Sequence, residues 1–176
     1  MSIYQRCDQS VNDLASEILF EFETHKPLIA AKVTVDYVFA FAPCDEKTGE
    51  PTGPALTLGG YPCLGICRKI SLKDRALGRA DAEISLDGDW WKNASREEKK
   101  ALLDHELHHL SIKIDKRGIV KDDLGRPKIE IRKHDFDFGW FKIIAERHGA
   151  HSIERMQAAR LVVEAGQYLF PDFVKI

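Results

Sequence analysis

The chain has no large excess of either charge. Its 26 Lys and Arg against 28 Asp and Glu leave a net charge of −2, so bulk electrostatics offer no nucleic-acid or anionic-membrane surface. No apolar run approaches the ~20 residues needed to cross a bilayer. Met1 to Gln9 hold no apolar stretch of the kind a signal peptide carries, which makes an intracellular protein the expectation. Internal repeats, low-complexity tracts and linkers are lacking too, and 176 residues of ordinary composition point to one domain. Cysteine is scarce. Cys63 and Cys67 stand in a stretch that reads as extended, where a four-residue offset spans ~13 Å, too far for a disulfide or a shared zinc. Small buried cysteines in a reducing compartment are expected.

What the chain does have is His105-Glu106-Leu107-His108-His109, a His-Glu-x-x-His pattern inside an apparent helix. Histidines four apart share a helical face, so His105 and His109 can reach one metal ion. Glu106 sits about 100° round the helix, placed to address a water on that metal. This is the arrangement of a zinc hydrolase, most often a peptidase, with Glu106 as general base.

The rest of the chain is read around that helix. A packing helix is expected from Ser10 as cap to about residue 25, ended by Pro27, with His25 at the surface. Strands are expected over about 32–87: Lys32 to Ala42, then a run from Ala55 bent at Gly59-Gly60 and resuming through Leu64 and Ile70, then Arg79 to Asp87. Ser71 to Gly78 reads as a connector or one helical turn. The Arg79–Asp87 strand directly precedes the metal helix and is the candidate edge for an extended substrate, with a central strand as the alternative. Ser95 and Glu98 form a capping box for a helix over about 96–112. Leu103, Leu107 and Leu110 make its core stripe, and Asp104, His108 and Ser111 fall in a sector facing neither core nor metal. A polar loop or hairpin over 114–127, a short strand from Lys128 to Lys133, an aromatic helix from Phe136 to His148 closed by Gly149, and a last helix from Ser152 to about residue 168 complete the reading. The fold class expected is α+β, a small, mainly antiparallel sheet packed against helices that include the metal helix.

Catalytic zinc usually takes three protein ligands. Beyond His105 and His109 the third candidate is His134, at a strand-to-helix junction that can hold a side chain rigidly toward a cleft. Asp135 and Glu146 are the alternatives, with His148 behind them. Tyr37, Tyr61, Arg132 or His148 could stabilise an oxyanion.

The run Gly78 to Ile84, then Trp90-Trp91, then Ala101 to Leu110, Gly125-Arg126-Pro127 and Arg132 to Gly149 resembles the phage metallopeptidases in order and spacing. A narrower likeness, to the minimal zinc-peptidase cores of SprT-type proteins, rests on the helix alone. The first resemblance implies a single zincin-like domain of phage or prophage origin, acting on protein or peptide substrates in the cytoplasm of a bacterial host. It implies His105, His109 and His134 as ligands of Zn2+ and Glu106 as the catalytic residue. A reading of another class is a zinc-stabilised protein that binds a host or phage partner without turnover. Glu106 favours the enzyme, because a structural zinc site has no use for a base.

Overall fold

The central sheet is short and mixed, and its order follows from which strands can be covered on both faces. The computed structural model describes residues 2–134 and 140–160. They fall in two compact units, Met1–Lys133 and His134–Ile176. In the first unit the chain runs through β1 (Ile3–Arg6), α1 (Gln9–Glu21), a 3₁₀ turn (Glu23–His25), α2 (Lys26–Ala30) and β2 (Val35–Phe41). A small hairpin of β3 (Thr57–Leu58) and β4 (Tyr61–Pro62) leads into β5 (Gly65–Lys69), α3 (Leu72–Ala76) and β6 (Ala82–Asp87). Then come α4 (Gly88–Asn93), α5 (Arg96–His108), β7 (Leu110–Ile112), the hairpin of β8 (Ile114–Asp115) and β9 (Gly118–Ile119), and β10 (Ile129–Ile131).

The sheet order is β1-β2-β6-β5, parallel between β2 and β6 and antiparallel elsewhere. The α+β expectation with a mainly antiparallel sheet therefore holds. The expected substrate edge does not: β6 is central, its Ala82, Ile84 and Leu86 wholly buried and even Ser85 covered. Its alternation marks two faces, not an exposed margin, because Glu83 on the polar side is engaged by Arg79 and Ser85. The strand at the margin on that side is β5.

Three helix boundaries differ from the sequence reading. Asp8, not Ser10, caps α1, accepting from the Ser10 amide at 2.9 Å. Pro27 does not end that helix; it stands in the first turn of α2, where its missing N–H leaves no bond unmade. The metal helix α5 opens with the expected Ser95–Glu98 capping box but stops at His108 instead of Ile112. Leu110 to Ile112 alternate with Ser111 outward and pair antiparallel with β10, so sheet pairing overrides helix continuation there. α1 lies along α5, fastened by Lys100 to Glu17 at 2.8 Å and to Glu21 at 2.5 Å.

In the second unit Lys142–His148 form α6, closed by Gly149 at φ 54°, a left-handed value suited to glycine. The expected start at Phe136 lies outside the described residues; Phe141 is extended, so the helix begins at Lys142. Ser152 Oγ accepts from the Arg155 amide at 3.1 Å and caps helical backbone over 153–160. The expected end of that helix, near residue 168, lies outside the described residues. Among the described residues no helix is long and apolar enough to cross a membrane.

Candidate metal centre

From Ala101 to His108 every residue of α5 is buried. Leu103 and Leu107 join the apolar interior as expected, Leu110 follows them from β7, and Leu102 is buried as well. His105 retains 8% exposure and Glu106 3%. The rings of His105 and His109 lie edge to face with centroids 5.2 Å apart, as two residues on one helical face must.

The sector assigned to neither core nor metal is in fact a buried polar network. Asp104 is fully buried and lies 2.6 Å from Nε2 of His25, which is itself buried instead of at the surface. His25 stacks edge-on against His108 at 6.0 Å. The Arg132 guanidinium donates to His108 Nε2 at 2.8 Å, so that nitrogen carries the lone pair and Nδ1 the hydrogen. These groups replace the open sector with closed hydrogen bonds, which is what permits polar side chains at such depth.

The end of α5 is tied to β10 by one further step of the β7–β10 ladder. The Arg132 amide donates to the His109 carbonyl at 2.7 Å, and His109 Nδ1 donates to the Arg132 carbonyl at 2.8 Å. A carbonyl can only accept, so His109 carries its hydrogen on Nδ1 and presents its lone pair on Nε2, the form a metal requires. The chain reaches His134 two residues after this clamp, ~7 Å of extended backbone. One ligand nitrogen from each of His105, His109 and His134 lies within 4.8 Å of the others, a group that could hold a metal ion. An all-imidazole set of this kind suits a borderline cation such as zinc.

Glu146 is exposed and paired with Lys142 across one turn of α6 at 3.6 Å. Asp135 lies outside the described residues. Of the oxyanion candidates, Tyr37 is buried in β2, where desolvation raises its phenol, and Tyr61 is 77% exposed on the β3–β4 hairpin. Arg132 is engaged by His108, and His148 ends α6. All four cysteines are free thiols; Cys7 is buried, Cys63 and Cys67 are half-buried and Cys44 is exposed, so burial holds for one of them only. Desolvation, and after it the Glu106 carboxylate, pushes the Cys63 thiol up to about 11 and the Cys67 thiol higher.

With this geometry in place the chain can be set beside known proteins. The family model described as putative phage metallopeptidase matches residues 4–165. The chain belongs to that family, and membership implies a metal cofactor. No curated protein and no solved structure gives a significant match.

Two features of the site escaped the sequence reading. His25 and Asp104 are 79 residues apart, and no local pattern joins them. Gly65, against which Glu106 lies, did leave a signal: a glycine inside a strand pattern marks close approach of another group.

Proposed function

We propose that this protein is a zinc-dependent peptidase in which His105, His109 and His134 hold the metal and Glu106 is the general base. The observation that carries the reading is the meeting of three histidine nitrogens within 4.8 Å, two of them on the helix that also bears Glu106. When bound, zinc would supply a Lewis acid that lowers the pKa of a coordinated water and polarises the scissile carbonyl. Glu106 takes the proton of the attacking water and passes it to the leaving amine nitrogen, acting as base and then as acid. Its near-complete burial keeps bulk water from competing for that proton. The Arg132 carbonyl keeps His109 in its metal-binding tautomer. β5, at the margin of the sheet and against Glu106, takes the role first assigned to β6: an extended peptide would add to it as a further strand. In this reading the chain works as a single zincin-like domain on protein or peptide substrates, in the cytoplasm of a bacterial host.

The test is Glu106→Gln. The variant should fold, bind one zinc with affinity like the wild type, and lose hydrolysis of peptides the wild type cleaves in a proteomic screen of host lysate. Equal cleavage by both would sink the mechanism.

A further inference from the structure

The margin strand β5 meets α5 at one point where there is no room for a side chain. A Cβ on Gly65 would come within 2.7 Å of Cδ and 2.8 Å of Cγ of Glu106, and closer still to Oε1. The Gly65 φ is not in the left-handed region, so its backbone suits any residue and only the Cβ is excluded. Neighbouring positions agree on which way the strand faces. Cys67, two residues further along β5, feels the Glu106 charge. Ile66, on the alternate face, packs instead with Ala40, Ala55 and Leu56.

A clash confined to a carboxylate oxygen could be relieved by turning the carboxylate. This one extends back to Cγ, so the whole side chain would have to take another rotamer. Glu106 is itself almost wholly buried, which leaves little space for that.

We propose that Gly65 is a positioning residue for the base: the missing side chain is what lets the Glu106 carboxylate lie against the margin strand. The proposal rests on the reading of Glu106 as the base, and it predicts a coupling between the two positions that is measurable without turnover. The experiment is a double-mutant cycle on the zinc-loaded full chain, with Gly65→Ala, Glu106→Ala and the pair. Gly65→Ala should keep one zinc per chain at unchanged affinity and lose about 100-fold in turnover, the scale of an ångström's misplacement. Its Tm should fall by roughly 3–10 °C, as overpacking in a chain of this size does. In the Glu106→Ala background the same change should leave Tm unmoved, because the colliding atoms are gone. If Gly65→Ala alone does not fold, folding of the pair supports the proposal equally well. Wild-type turnover in Gly65→Ala overturns the proposal, and so does a Tm loss, or a folding failure, that persists in the pair. An active Glu106→Gln would remove the base reading while leaving the Tm cycle to stand or fall by itself, so the two failures are distinguishable.

Discussion

Helices α1 and α5 have the same length, 13 residues each, and lie side by side, yet they use their surfaces in opposite ways. α1 buries Val11, Leu14, Ala15 and Ile18 on one face and leaves polar residues outward, the usual division of a surface helix. α5 buries eight residues in succession, and four of them, Asp104, His105, Glu106 and His108, are ionisable or strongly polar. Burial of such groups costs several kcal/mol each unless partners replace the lost water. Asp104 has His25 and His108 has Arg132. The comparison separates two kinds of polar residue on one helix: those that hold the helix in place and those to which the proposed mechanism gives chemistry. Stability measurements should report on the first kind, and metal binding or turnover on the second.

The largest effect expected is on the metal. His109→Ala should weaken zinc affinity by more than about 100-fold, since partners that merely orient a ligand are already worth 10–100-fold. His134→Ala should do the same, and competition against a chromophoric chelator measures both. Unchanged zinc content in the His134 variant would move the third ligand to Asp135 or Glu146. No substitution on α1 should alter zinc affinity; if Ile18→Ala did so at temperatures where the variant is folded, the division between the helices would fail.

Next in size is the buried pair. Asp104→Ala leaves the enclosed His25 without its acceptor and should cost about 3 kcal/mol in denaturant unfolding. Ile18→Ala should cost a similar amount through its cavity. The two losses differ in how they are repaired. Asp104→Asn keeps an acceptor oxygen and should recover more than half of the loss, whereas no polar group can do so at Ile18. Equal losses for Asp104→Asn and Asp104→Ala would show that charge, not hydrogen bonding, holds His25.

Much of this arrangement is written locally in the chain, and those parts are legible there. The capping box needs only Ser95 and Glu98, and the metal face needs only the four-residue spacing of His105 and His109. His134 stands out because a strand of alternating isoleucines ends just before it. What local patterns do not carry is adjacency. The alternation in β6 tells which side chains share a face but not which strands flank it, so a central strand reads like a margin. The end of α5 depends on β10 arriving some 20 residues later to pair with β7, and the depth of Asp104 depends on His25 arriving from the other end of the unit. The sector that looks idle on a helical projection is the one closed by distant partners.

The smallest difference between the two helices lies at their starts. The α5 box satisfies two donors reciprocally, Glu98 N to Ser95 Oγ at 3.3 Å and Ser95 N to Glu98 Oε2 at 2.7 Å. The α1 cap rests on the Asp8 carboxylate, which the Ser10 hydroxyl and the backbone amides of Ser10 and Val11 hold below its ordinary pKa. Ser95→Ala and Asp8→Ala should each cost about 1 kcal/mol at neutral pH. A carboxyl with a lowered folded-state pKa contributes its stability above the unfolded value and loses it as pH falls through the folded one. The cost of Asp8→Ala should therefore shrink toward zero on acidification into that range. The bond from Glu98 N to the Ser95 hydroxyl involves no titrating acceptor, so part of the Ser95→Ala cost should persist there. Denaturant midpoints of both variants against wild type, at neutral pH and in acid, decide the matter. A cost of Asp8→Ala that does not change with pH would mean that α1 is capped by geometry alone, and the two helix starts would then differ only in how many donors they satisfy.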